Sequence, residues 1–170
     1  MRRLLFFLIF LNTSIVLHAR YGETLEQLET RFGKANISNT RSVADVIYYF
    51  NKNGVTITAY MLNAKCEKIS YNNPKVFKDE EIMTLLELNK QKSLWIPLSN
   101  PRRFDGKKEP IPKKCWQSED YRLYAERYAV YISDTLVISS KVYLEKEQEV
   151  EKKTKETKEK EKNANKVEGF

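Results

Sequence analysis

The sequence predicts an α+β domain: a short helix, a three-stranded antiparallel meander, a second helix, a long loop and a second β-hairpin. Three observations carry that expectation. A capped amphipathic stretch runs from Leu25 to Phe32. Three β-like runs separated by tight-turn residues follow between Val43 and Tyr71. Asp79-Glu80-Glu81 then opens another segment with apolar residues at helical spacing.

The chain of 170 residues divides into three parts, 1–19, 20–144 and 145–170. At the start, Arg2 and Arg3 precede the apolar run Leu4 to Leu11. Asn12-Thr13-Ser14 interrupt it, and Ile15-Val16-Leu17 lead to the small residue Ala19. This is the layout of a secretory signal peptide. The interruption leaves it short of the roughly 20 apolar residues that span a bilayer. Export to the periplasm or the medium is expected, with cleavage after Ala19 and no stable membrane span afterwards. Cleavage there also removes His18, the one histidine of the sequence, and position 20 is Arg, so no cysteine offers a lipid attachment point.

The elements of the single domain read in order. Thr24 and Gln27 form a capping box, Leu25, Leu28 and Phe32 share a face, and Gly33 stops the helix. The β-like runs are Val43 to Phe50, Val55 to Leu62 and Lys65 to Tyr71. Asn53-Gly54 supplies the positive-φ residues of a tight hairpin, and Asn63-Ala64 makes the next turn. On the second run Val55, Ile57, Ala59 and Met61 share one face. On the third, Ile69 and Tyr71 share a face with Lys65 and Glu67, which places Cys66 with Lys68 and Ser70 on the more polar side. The acidic residues at 79–81 favour a helix start ahead of Ile82, Leu85 and Leu86.

Ser93 to Gln117 has little regular pattern. It holds prolines 97, 101, 110 and 112 and both tryptophans, Trp95 and Trp116, and reads as a long loop packed at its ends. Tyr121 to Ile132 is ambiguous: Tyr121, Tyr124, Tyr128 and Tyr131 have helical spacing, while Tyr124, Tyr128, Val130 and Ile132 share a strand face. Ser133-Asp134 followed by Thr135 to Leu144 favours a hairpin. The tail has almost no apolar residue to bury, and pairs such as Glu149/Lys153 and Glu151/Lys155 support a solvated helix. Disorder or a single fraying helix is expected there.

The stretch Gly22-Glu23-Thr24-Leu25-Glu26-Gln27-Leu28-Glu29-Thr30-Arg31-Phe32-Gly33-Lys34, followed by a meander, resembles the opening of the SmpA/BamE-type outer-membrane-assembly family. It is similar also to uncharacterised exported proteins with a Gly-Glu-Thr start. The resemblance covers about residues 22–71 and implies a small exported sheet-and-helix domain. The lipidation usual in the assembly family has no counterpart at position 20.

Chemistry is narrowed by what the mature chain lacks. Without histidine, Ser-His and Cys-His nucleophile pairs and histidine metal sites are excluded, and no cofactor, metal centre or catalytic group is expected. Cys66 and Cys115 are an even count in an oxidising compartment, which favours a disulfide; two buried thiols are the other reading. The formal charge is +7, but the tail from Glu145 has as many Lys as Glu. The excess concentrates in Arg102, Arg103, Lys107, Lys108, Lys113 and Lys114, against Asp105 and Glu109. Flanked by Phe104 and Trp116, these residues are a candidate anion-binding loop for a phospholipid surface or acidic envelope glycan, with no nucleic acid expected. The expected function is a non-enzymatic exported module that binds a protein or an anionic envelope component through a sheet edge or the proline-rich loop. The alternative is an inhibitor-like or hydrolytic protein using dispersed carboxylates.

Overall fold

The computed structural model describes residues 20–38, 43–101, 103–105, 107, 110–130 and 132–167. The expected signal segment 1–19 therefore lies outside the described residues. The elements are α1 (Leu25–Phe32), β1 (Asn36–Ser38), β2 (Val46–Lys52), β3 (Val55–Leu62), β4 (Lys65–Asn73), α2 (Asp79–Asn89), β5 (Trp95–Pro97), β6 (Lys114–Ser118), β7 (Leu123–Val130), β8 (Ser133–Ser140) and α3 (Lys141–Val167).

The expected fold class is corrected by the sheet. The strands do not form a meander and a separate hairpin; all eight join one antiparallel sheet in the order β1-β2-β3-β4-β8-β7-β6-β5. The irregular stretch from Ser93 to Gln117 contributes two of them, β5 and β6. At three and five residues these strands are too short for a visible alternation, and Pro97 ends the first.

The sheet divides into two halves with the same plan. Each half is a helix, a short edge strand and three longer strands, and the two meet where β4 pairs with β8. Ser70 lies opposite Val137 near the middle of that seam. The eight-residue strands β3 and β7 occupy equivalent places, so Ala59 in one half corresponds to Arg127 in the other.

Alternation along the strands sorts side chains onto two faces. One face carries Phe50, Ile57, Ala59, Met61, Ile69, Tyr71, Ala125, Leu136 and Ile138, and it is covered by α1 through Leu28 and Phe32 and by α2 through Ile82, Leu85 and Leu86. Phe32 meets Phe50 at 5.4 Å between ring centroids. The Trp95 indole donates to the Leu86 carbonyl at 2.6 Å and ties β5 to the end of α2. Each fully buried aliphatic side chain here contributes about 1.5–3 kcal/mol.

Cys66 belongs to this core, contrary to the expected polar placement. The register between β3 and β4 shifts after Tyr60: Tyr60 opposes Lys68, but Met61 opposes Cys66. Glu67 is the extra residue of a bulge, and the bulge turns Cys66 onto the helix-covered face. Cys115 lies on β6, with β8 and β7 between it and β4. Three strand spacings alone separate the two by about 14 Å, twice the ~7 Å reach of a disulfide. The expected bridge is therefore not formed, because a pairing read from an even cysteine count takes no account of strand order.

On β7, Arg127 faces the helices and is 3 % exposed. Its Nη2 donates to Asp134 Oδ2 at 2.6 Å and to the Phe77 carbonyl at 2.8 Å, and its Nη1 donates to Asp79 Oδ1 at 2.6 Å. Asp134 is fully buried and also accepts the Phe77 N–H at 3.1 Å. One guanidinium thus fastens the start of α2 to the second hairpin.

The other face is covered at one end by α3, which begins immediately after β8. Tyr143 and Leu144 are buried, and Tyr143 packs with Ala44 and Ile47. The expected boundary at residue 144 falls inside this continuous helix. Residues 152–161 are exposed on every side, and Glu149/Lys153 and Glu151/Lys155 pair one turn apart.

Two measurements check these packing assignments. Unreduced protein is expected to yield two thiols to an aromatic disulfide reagent in urea and almost none when folded, because burial and then the Glu23 and Glu67 carboxylates push the Cys66 thiol well up. Arg127→Met is expected to lower the urea-unfolding free energy by about 3–5 kcal/mol by stranding Asp134, and adding Asp134→Leu is expected to restore much of it.

Candidate functional site

The face opposite α1 and α2 carries the residues that alternate with the core. Tyr60 on β3, Lys68 and Ser70 on β4, Thr135, Val137 and Ser139 on β8, and Glu126 and Tyr128 on β7 form the floor of a cleft. Leu144 and Glu147 of α3 make one wall; Arg103, Asp105 and Pro110 of the loop between β5 and β6 make the other. The cleft is open to solvent on one side and has a volume of about 260 Å³. Both halves of the sheet contribute to the floor, so the cleft exists only because β4 and β8 pair.

The loop wall is held by several contacts. The Phe104 ring packs on Tyr124 with centroids 4.4 Å apart. The Phe104 N–H donates to Glu126 Oε1 at 2.6 Å, and Gln148 Nε2 donates to the Phe104 carbonyl at 3.1 Å. Arg103 Nε donates to Asp105 Oδ1 at 2.8 Å, and its Nη2 pairs with Asp105 Oδ2. The same guanidinium lies 5.7 Å from the Tyr128 ring centroid.

The helix wall is held by Lys68. Its Nζ is 2.9 Å from Glu147 Oε1 and lies 5.2 Å and 5.1 Å from the Tyr60 and Tyr143 ring centroids. Glu147 Oε2 is buried and has no hydrogen-bond partner among the described residues.

The two loop-side carboxylates are driven apart. Burial opposes ionisation of Asp105, but the Arg103 hydrogen bond and the Lys107 N–H outweigh it and bring its pKa down to about 2. Burial raises that of Glu126 despite the donors from Phe104 and Tyr128. Burial, and then the Glu126 carboxylate, also push the Tyr128 hydroxyl up; it donates to Glu126 Oε2 at 2.8 Å. Among the described residues each cation of the cleft, Lys68, Arg103 and Lys107, thus faces a carboxylate, and this lining is polar without a dominant sign.

Of the six cations expected to form an anion-binding loop, the four described ones, Arg103, Lys107, Lys113 and Lys114, are not gathered in one place. Arg102 and Lys108 lie outside the described residues. Arg103 and Lys107 both pair with Asp105 at the cleft. Lys113 is exposed, and Lys114 points to the other face, 3.2 Å from Asp79. Lys113 and Lys114 border a separate groove of about 470 Å³ between α2 and β6, floored by Ile82 and Trp116. The sequence reasoning missed Lys68, Glu126, Tyr128, Ser139 and Glu147. The alternation Tyr124, Glu126, Tyr128 was a usable signal, since a carboxylate between two tyrosines on one strand face is an uncommon core pattern.

The Glu126 carboxyl sets a pH limb. Its pKa is raised in the fold, so its contribution to stability is complete below the ordinary Glu value of about 4.3 and is lost as pH rises through the raised value. Asp105 works in the opposite sense, its contribution being lost as pH falls from about 4 towards 2. Urea unfolding of wild type and Glu126→Gln across this range is expected to show the variant gaining on wild type as pH rises above about 4.3. Comparison with protein-family models, with curated proteins and with solved structures finds no match to this chain.

Proposed function

We propose that the protein is an exported, non-enzymatic binding module that takes one ring-sized polar unit of an envelope glycan into the cleft between α3 and the loop wall. The observation that carries the reading is the lining: tyrosine rings beside carboxylates and serine hydroxyls, with cations and anions balanced. Tyr60 and Tyr128 offer aromatic surface, Ser70 and Ser139 offer hydroxyls, and Glu147 Oε2 is an acceptor with no donor among the described residues. A saccharide supplies donors, acceptors and apolar ring faces to such a lining. The volume of about 260 Å³ falls just below the ~300–1,000 Å³ of pockets that engulf drug-sized ligands, which suits a single ring of a longer chain. Lys107, half exposed beside Asp105, is placed to meet an acidic substituent. The sheet edges are weaker docking places, because β1 and β5 have three residues each.

A second reading, hydrolysis of the glycan, draws on the opposite shifts of Asp105 and Glu126, a pattern found in acid/base pairs. It is the weaker one, because Asp105 is held on both oxygens by Arg103. The test is calorimetric titration with neutral and acidic amino-sugar oligomers, alongside an assay for new reducing ends. Binding without turnover is expected, and Ser139→Val combined with Tyr128→Phe is expected to weaken it about tenfold, the equivalent of one lost hydrogen bond. Absence of binding to every oligomer would reject the glycan reading; release of reducing ends abolished by Glu126→Gln would replace it with the hydrolytic one.

A further inference from the structure

The segment ahead of α1 is fastened to the fold by its own backbone. Gly22 N–H donates to the Cys66 carbonyl at 2.8 Å, and Cys66 N–H donates to the Glu23 carbonyl at 2.9 Å. Tyr21 N–H donates to Asn89 Oδ1 at 2.8 Å. These bonds join the segment to the bulge of β4 and to the end of α2, and they hold Arg20 at a small recess shared with Tyr21, Glu87, Leu88 and Gln91.

Glu23 is the unusual residue here. It is only 8 % exposed, and a carboxylate so buried needs cationic or hydrogen-bonding partners. Its Oε1 accepts from Arg31, with Nε and Nη2 each 2.9 Å away. Its Oε2 is 3.2 Å from the backbone nitrogen of Arg20, which donates to it. In an uncut chain that nitrogen is an amide with one hydrogen.

We propose that Glu23 is a receptor for a new N-terminus at Arg20, created by hydrolysis of the Ala19–Arg20 peptide bond. The inference rests on the reading that the chain is exported and cut at that bond. Water adds across the amide: Ala19 leaves with a carboxylate, and the Arg20 nitrogen takes up protons to become an ammonium. The existing hydrogen bond to Glu23 Oε2 then becomes an ion pair, shorter and about twice as strong. Processing thus strengthens a contact that the folded chain has already positioned.

The charges packed around this segment come from four elements. Arg31 on α1 shares Glu23; Glu67 on β4 hydrogen-bonds Tyr21; Glu87 on α2 pairs with Lys90; Arg122, between β6 and β7, acts on Tyr21. Glu87 is offset by Lys90 and Arg122 by its own partner Asp120, and Glu23 is the carboxylate within hydrogen-bond distance of the Arg20 nitrogen, so Glu23 decides the preference of the new ammonium. The clamp raises the affinity of that amine for its proton. Its stabilisation is complete below the ordinary α-amino value of about 8 and is lost as pH rises through the raised one.

The test begins with the full chain, leader included, expressed in an exporting bacterial host, and with the N-terminus of the exported product read by mass and sequencing. The α-amine is then acetylated near neutral pH in the folded state and in urea, for wild type, Glu23→Gln and Arg31→Gln. A start at Arg20 is expected, with acetylation about tenfold slower in the folded wild type, as a rise of about one pKa unit requires. Protection is expected to vanish in Glu23→Gln and to persist in Arg31→Gln, whose carboxylate remains. Wild-type melting temperature, but not that of Glu23→Gln, is expected to fall between about pH 8 and 9.5. A product starting at Met1, or at any residue other than Arg20, overturns the cleavage reading and the receptor with it. A start at Arg20 with an amine equally reactive folded and unfolded leaves cleavage standing and overturns the receptor alone.

Discussion

The antiparallel seam between β4 and β8 is the constraint on which the other features depend. Its paired residues, such as Lys68 and Ser139, are far apart in the chain, so the seam closes only after a large loop entropy is met. Each half on its own offers four strands and one short helix, too little to cover both faces. Joining them makes one continuous helix-covered core and, on the reverse, a floor drawn from β3, β4, β8 and β7. The cleft, the α3 wall and the loop wall are consequences of that joining.

The two halves solve one packing problem in different ways. Where the first half places Ala59 and Cys66, both fully buried, the second places Arg127 and Asp134. The first pair asks little of its surroundings, only the Lys68 carbonyl that accepts from Cys66 Sγ at 3.4 Å. The charged pair must satisfy a guanidinium and a carboxylate in a dry interior, and it recruits Phe77 and Asp79 to do so. A buried ion pair of this kind adds little net stability over an apolar pair. Its effect is positional: α2 is seated by hydrogen bonds of fixed direction, whereas α1 is seated by Leu28 and Phe32.

Features with local causes were legible. The Thr24/Gln27 box and Gly33 delimit α1 as the sequence implies, and Asn53 and Gly54 take the positive φ values that their hairpin needs. Features set by distant pairing were not. Nothing near Lys114 to Ser118 announces a strand, because its partner β7 supplies the order. The bulge at Glu67 was hidden for a related reason: period-two counting assumes an unbroken ladder, and one inserted residue reversed the predicted face of Cys66. The cleft was illegible as a unit, since its side chains come from four strands, a loop and a helix. The emphasis on the basic loop followed from weighing Asp105 and Glu109 only as charges to subtract and Asp79 only as a helix start; in the fold Asp105 and Asp79 claim three of the loop's cations, Arg103, Lys107 and Lys114, and the reach of such short side chains depends on the folded path.

Beyond residue 151, α3 continues as a helix to Val167, with residues 152–161 exposed on every side. From residue 152 to Val167 the helix advances about 24 Å, roughly three times the screening length of about 8 Å at physiological ionic strength. Electrostatic fields of the cleft and of the Lys113/Lys114 groove have decayed before they reach its far end. The domain and the far end of α3 are therefore electrically independent: each can be attracted or repelled by its own surroundings without altering the other.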